Sequence, residues 1–342
     1  MSAPGVGALR VISSGLCCSV GYTADAASCA LRAGMDHFQE SDFVADGSER
    51  LRVARLPSAT LWGGERLALW VRQAVADCLG GVKAFETADT ALCLLTLERE
   101  RPHGDDRTQF ATAQAAQRVL GHTFSADSRV FTAGRAGLGH ALLRIRHLID
   151  QGHVRRVLLV GVDSYLNAAT INHYLAQERL LTTMNRDGFL PGEAAAAVLL
   201  EAAAPDAPGF VIRGVGRDRA DGRPDGSTPS RGRALTRAMR AALAAAQLKP
   251  DDLDFRLSDQ NGESFFAREA ANALTRLGVA PPTLTTADCV GEVGAATGPL
   301  MLAWLQRLMP REDGPGARGL IHLANDDGER SAIVVSYQPV TA

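Results

Sequence analysis

Short apolar runs alternate with helix-period stretches along the whole chain. Runs over residues 11–16, 92–97, 129–132 and 157–162 predict strands, the last (VLLVGV) apolar enough to be buried on both faces. Between them, residues 24–32, 65–78, 108–120 and 138–151 carry apolar positions at helical spacing. A charged turn, Asn185-Arg186-Asp187-Gly188, then leads through Gly192 and Glu193 into the apolar run 194–200, which predicts a tight turn feeding a buried strand. Residues 202–208 (AAAPDAP) read as a linker. A second cycle follows: strand 210–214, helix 233–248, strand 253–257, helix 263–277, strand 283–286, helix 295–309, and strands 319–324 and 331–337. Alternation of this kind predicts an α/β protein with parallel strands. It divides into halves at 1–201 and 202–342, similar in pattern but without a repeated sequence. The Arg-, Asp-, Gly- and Pro-rich stretch 217–229 is expected to be an exposed, mobile loop.

Composition narrows the function classes. A formal net charge of −2 gives no electrostatic footprint for nucleic acid or an anionic membrane. No apolar run approaches the ~20 residues that span a bilayer. Residues 1–21 lack the basic start and uninterrupted apolar core of a signal peptide. The six cysteines, at 17, 18, 29, 78, 93 and 289, form no C-x-x-C pair, which favours a reduced, cytoplasmic setting.

Several segments resemble one enzyme family at once. The Arg186-Asp187-Gly188-Phe189 turn and the Gly192-Glu193 pair resemble the matching turn of the β-ketoacyl synthases, members of the thiolase superfamily. That resemblance implies a thiolase fold, two pseudo-symmetric α/β halves packed as a layered αβαβα sandwich. It also implies a catalytic cysteine between a buried strand and a long helix, where the helix dipole and free N–H groups lower the thiol pKa and hold an oxyanion. The family's Thr-Ala-Cys-Ser pattern falls on Thr132-Ala133-Gly134-Arg135. The nucleophile position is therefore Gly134, and Arg135 is expected to fill the mouth of the acyl tunnel. The first family histidine falls on Asp259, or on Asn261 if a gap is placed, with Glu269 matching a later acidic residue. The second falls on Glu292, within one residue of Val293, and the preceding lysine is replaced by Thr286-Ala287-Asp288. The Asn-x-Phe-Gly gate becomes Asn325-Asp326-Asp327-Gly328. Carboxylates at both histidine positions would repel the anions of decarboxylative condensation.

The expectation is a protein without that chemistry, acting as a binding, scaffold or accessory subunit. The family dimerises, which implies a homodimer or a heterodimer with a related thiolase-fold chain, expected through the strand at 157–162. An acyl carrier protein, or a type VI secretion effector, is the further partner that the resemblance permits. The alternative is an acyl-processing enzyme with a carboxylate-based site.

The remaining candidates have blander readings. Asp259, Glu292, Asp326, Asp327 and Glu329 would cluster in this fold, either as a new acidic site or, as preferred, as a vestigial pocket closed by Arg135 and Arg330. Glu193 is expected to tie the halves together near that pocket, beside Asn261 and Asn325. Cys289 and the Cys17-Cys18 pair read as packing residues. His140 and His147, two helical turns apart, make no metal pair. Gly214-Val215-Gly216 lacks the third glycine of a dinucleotide loop. No cofactor or metal is expected.

Overall fold

A computed structural model describes residues 7–57, 61–83, 85–204 and 207–339. The first half holds β1 (Ala8–Cys18), α1 (Ala24–Arg32), β2 (Phe38–Val44), β3 (Arg50–Ala54), α2 (Gly63–Leu79), β4 (Thr90–Thr96) and α3 (Asp106–Leu120). It continues through β5 (Arg129–Thr132), α4 (Gly137–Asp150), β6 (Arg156–Ser164), α5 (Ala168–Ala176) and β7 (Glu193–Ala203). The second holds β8 (Gly209–Arg219), α6 (Arg233–Ala245), β9 (Phe255–Ser258), α7 (Ser264–Leu277), β10 (Thr283–Thr285), the short α8 (Ala287–Val290), α9 (Thr297–Leu308), β11 (Arg318–Ala324) and β12 (Glu329–Gln338).

Ten strands run in the order β5-β4-β6-β7-β1-β8-β12-β11-β9-β10. The order is palindromic in each half's own numbering, 3-2-4-5-1 read inward from both edges. The two sets meet through a brief antiparallel contact, Leu9 opposite Ile212 and Arg10 opposite Val211. Alternate strand residues point to opposite faces, and the buried clusters sort accordingly. Cys93, Leu95, Leu159 and Val198 of the first half, with Leu257, Leu323 and Ile333 of the second, pack with Leu138, Leu142 and Ile145 of α4 and Leu300 to Leu305 of α9. Leu94, Val160 and Leu199 face α2 instead. Leu320 and Val334 face Leu235, Met239 and Ala242 of α6. The layers are thus helix, sheet, the α4/α9 pair, sheet, helix: the αβαβα sandwich.

The sheet is not wholly parallel. β4 runs parallel to β5 and β6, and β9 parallel to β10 and β11, but β7 and β12 are antiparallel to both their neighbours. A strand buried on both faces reads the same whichever way its neighbours run, so composition could not give the direction. The same burial corrects the expected dimer edge. β6, which contains 157–162, pairs with β4 on one side and β7 on the other, so it has no free edge; the edge strands are β5 and β10.

The expected linker at 202–208 is shorter than thought, since β7 continues to Ala203; Pro205 and Asp206 lie outside the described residues, as do residues 1–6 of the N-terminal segment. The first three residues of the expected loop at 217–229 are still strand, because β8 runs to Arg219 opposite β12. Gly214 and Gly216 lie within β8, where α6 crosses so closely that a Cβ at either would sit 2.0 Å from a helix carbonyl, Ala242 and Ala238 respectively. Close helix packing explains these glycines. The β2–β3 hairpin and α5 were not foreseen. No helix among the described residues is long and apolar enough to cross a membrane.

Candidate functional site

Parallel strands bring their C-terminal ends to one rim, where irregular segments from both halves meet. These are residues 98–101 after β4, 133–136 after β5, the end of β6 with Tyr165, 259–263 after β9, 291–294 before α9, and the β11–β12 turn.

The turn after β5 has its backbone groups committed. Gly134 sits at φ +54°, a left-handed conformation that favours glycine. Its N–H donates to Thr96 O at 3.1 Å, and its carbonyl accepts from Gly137 N at 3.2 Å. Asn325 clamps the same turn from the other half, its Oδ1 accepting from Ala136 N at 2.8 Å and its Nδ2 donating to Ala133 O at 2.6 Å. Ser331 Oγ donates to Ala136 O at 2.6 Å. A Cβ placed on Gly134 would lie 2.6 Å from Glu98 Oε2 and 3.3 Å from Asn325 Oδ1. The Glu98 carboxyl therefore occupies the volume that a side chain at 134 would need.

Arg135 is buried at the junction of the halves. Its Nη1 lies 2.6 Å from Glu292 Oε2, while its Nε and Nη2 stand 3.8 Å from the Asp259 and Asp326 carboxylates respectively. The guanidinium stacks on Phe266, 4.7 Å from the ring centre. Glu292 also accepts from Asn261 Nδ2 at 2.8 Å and from Gly294 N at 2.9 Å. Burial pushes the Asp259 carboxyl up to about 6, although Arg135 and the Ala324 N–H, 2.7 Å from Oδ2, pull the other way. Burial alone would also raise Asp326, but Arg179, Arg135 and Arg101 outweigh it and hold that carboxyl below its usual range.

Two more buried arginines extend the network. Arg179 forms a fork with Glu263, at 2.6 and 3.0 Å, and a second with Asp326, at 2.7 and 3.1 Å. Arg101 pairs with Asp163, lies 3.6 Å from Glu98, and stacks 4.0 Å from the Tyr165 ring centre. Asp163 in turn accepts from Ala295 N at 2.9 Å, at the foot of α9. Burial pushes Glu98 up to about 7; Arg101 opposes this, while Asp163 and Asp326 reinforce it.

Two clefts open onto this rim. One of about 370 Å³ is lined by Glu98, Arg101, His173, Tyr174, Arg179 and Asp326 among others. One of about 220 Å³ touches Thr132, Ala133, Gly137, His140 and Asn325. Glu98 lines both, whereas Asp259, Asn261 and Glu292 line neither.

The structure brings Gly134, Arg135, Asp259, Asn261, Glu292, Asn325 and Asp326 into one network. It separates others from it. Asp327 and Glu329 turn outward to Arg219, at 3.8 Å, and to Arg217. Arg330 does not close the acidic set; it is fully buried against Glu269 at 2.6 Å. Glu193 is buried, but its carboxylate is taken by Arg66, Leu56 N and Ser164 Oγ, all within the first half. Ties between the halves at the rim are made instead by residues such as Asn325, Arg135, Arg179 and Asp187, whose carboxylate receives Ser264 N at 2.6 Å at the start of α7. Asp187 can do this because the charged turn that carries it projects at the rim; Glu193 has already entered β7 and points into its own half. Cys289 is buried, and its thiol is pushed up to about 11, chiefly by burial. His140 and His147 are exposed on α4. No group of His, Cys, Asp and Glu among the described residues could hold a metal ion.

Sequence reasoning missed Glu98, Arg101, Asp163, Arg179 and Glu263. The first and third follow the apolar runs of parallel strands, the place where such folds collect their sites, and that signal was available. Arg179 and Glu263 carried none.

No protein-family model matches the chain, and no curated protein sequence does. Solved structures do. A chain of the AntDE:AntF complex, described as a type II PKS acyl-carrier protein in complex with its ketosynthase bound to the hexaketide, is 14% identical with a TM-score of 0.79. The similarity covers 97% of this chain and 99% of that one. The ishigamide ketosynthase/chain length factor is 16% identical, TM-score 0.77, over the same shares of 97% and 99%. A β-ketoacyl synthase from Burkholderia phymatum STM815 is 17% identical, TM-score 0.75, again over 97% and 99%. The fold is the thiolase fold that ketosynthases and chain length factors share.

Proposed function

We propose that this chain is a ketosynthase-like subunit that does not condense, and that it works as the accessory partner of a related thiolase-fold chain. In this reading Gly134 takes the nucleophile's place, Asp259 or Asn261 and Glu292 take the places of the two histidines, and the halves divide at 201/202. The observation that carries it is the Glu98 carboxyl standing where a side chain at 134 would be. Acyl transfer also needs free N–H groups aimed at the developing oxyanion. The N–H groups of Gly134 and Ala136 are already held by Thr96 O and Asn325 Oδ1. The carboxylate-enzyme alternative is disfavoured by the same geometry, because Asp259 and Glu292 sit behind Arg135 rather than in a cleft.

Pairing has a physical seat in β5. Its outer edge is unpaired among the described residues and Val130 on it is 41% exposed, and an open edge strand is a template for a partner strand. The partner is a second copy or a chain of the same fold, in a reduced, cytoplasmic setting, with an acyl carrier protein as the further associate. One experiment tests both parts. The tagged chain is purified from its native cell, its partners are identified by mass spectrometry, and the purified material is offered acyl and malonyl thioesters. The expected result is a cysteine-bearing ketosynthase or a second copy in the complex, with no acyl adduct on this chain. An acyl adduct on it would overturn the inactive reading. Recovery of a secretion effector with neither ketosynthase nor carrier protein would overturn the ketosynthase-partner reading.

A further inference from the structure

Outside the rim network, the chain builds a second concavity of a different electrical character. A cavity of about 430 Å³ lies between the end of β8 and the start of α6, lined by Arg219, Arg231, Arg233 and Arg237 with Asp221 as the one acid. The neighbouring cleft at the rim is the contrast, since its arginines share it with a similar number of carboxylates. In the basic cavity the available charge is unequal. Arg237 is bound to Asp218, and Arg219 stands 3.8 Å from Asp327. Arg231 and Arg233 have no carboxylate partner among the described residues, and both are exposed at the mouth. The cavity also reaches the Thr228 side and Ala234 in the first turn of α6, whose N-cap Gly232 supplies no capping side chain.

We propose that this cavity binds a free phosphate-bearing small molecule. Two unpaired guanidiniums can each grip a phosphate with a planar fork of donors. The size falls within the range of small-molecule sites, roughly 300–1,000 Å³. The concave shape suits a small polyanion better than a flat anionic lipid surface, and the lining arginines outnumber the one opposing carboxylate, Asp221. This goes beyond the subunit reading and holds whether or not the chain has a partner.

The test is calorimetric titration of inorganic pyrophosphate into the full chain at low ionic strength, with orthophosphate and sulfate as comparisons. The expected result is saturable binding, pyrophosphate tighter than either comparison, weakening as salt is raised. In the Arg231→Ala/Arg233→Ala double variant the affinity is expected to fall by about tenfold or more. Both positions are exposed, so an unchanged melting temperature confirms the fold; each single variant serves in its place should the double be unstable. Absence of saturable binding, or equal affinity in the variants, overturns the site. Binding to phosphatidic-acid vesicles with none to free pyrophosphate overturns the choice of a small molecule.

Discussion

The two halves end their central layer differently. Before α4, the first half offers a glycine and a cation, Gly134 and Arg135; before α9, the second offers an anion, Glu292. These turns precede the paired inner helices, and they meet as an ion pair at 2.6 Å. Here each half closes the other, and the difference teaches that the junction is held by charge rather than left as open space.

Breaking the pair has the largest expected effect. Arg135→Met leaves Glu292, Asp259 and Asp326 facing one another without their central cation. Removing one member of a buried pair costs about 3–5 kcal/mol, and denaturant unfolding should read a loss of that order. Arg135→Met/Glu292→Met removes both charges and fills the space, and is expected to recover most of it. A single variant as stable as the parent would mean that the halves do not depend on this pair.

The pH dependence sharpens the comparison. Glu98 rises from 4.5 to about 7 on folding, chiefly through burial, and Asp259 from 3.8 to about 6. The folded state therefore binds more protons than the unfolded one between those values. The stability these groups contribute is fully present below about pH 4 and is lost as pH rises through about 7. Glu98→Gln should remove its share of that fall, on the order of 1–3 kcal/mol between pH 4.5 and 7. Asp326, held low by its arginines, acts with the opposite sign below its ordinary range. Parallel pH profiles of parent and variant would show that Glu98 does not titrate there.

Gly134→Cys tests whether the first half's turn can be reopened. A side chain at φ +54° costs about 1–2 kcal/mol, and its Cβ would meet Glu98 Oε2 at 2.6 Å. The variant is expected to be less stable by that order and to yield no condensed product from acyl and malonyl thioesters. Glu98→Ala in the same chain should restore part of the stability. Condensed product from Gly134→Cys alone would show that the carboxylates at the other positions do not block the reaction.

Much of this architecture is legible in the residue pattern, because apolar period two or 3.6 records burial. Strand direction is not, since β7 and β12 bury both faces just as the parallel strands β4 and β6 do. At the rim, the turns that carry Gly134 and Glu292 are visible through their glycines. The arginine network is not. In the run Glu98-Arg99-Glu100-Arg101 the first and last residues are buried and the middle two exposed, yet all four are charged. The apolar run before it marks Glu98 as a rim position, but nothing local tells buried Arg101 from exposed Arg99, because that is decided by Tyr165 and Asp163, which arrive from another strand. Glu193 misleads for the converse reason. It looks like a link between halves, but Arg66 on α2 claims it.

The smallest effect separates the two kinds of tie across the junction. Arg135 joins the halves by charge, whereas Asp187 joins them by capping α7, its carboxylate taking both Ser264 N and Ser264 Oγ. A side-chain acceptor on a free first-turn amide is worth about 1 kcal/mol, and this one, reaching α7 from a distant turn, is exposed to solvent and screening. Asp187→Ala should therefore cost about 1 kcal/mol in denaturant unfolding, while Asp187→Ser, which keeps an acceptor, should cost less. Hydrogen exchange at the first turn of α7 should quicken in Asp187→Ala while the amides of α4 stay protected. In Arg135→Met both should quicken, since α4 starts beside Arg135 and Phe266, in the first turn of α7, stacks on its guanidinium. Equal exchange patterns in the two variants would mean that the rim opens as one unit and that the charge and the cap are not separable ties.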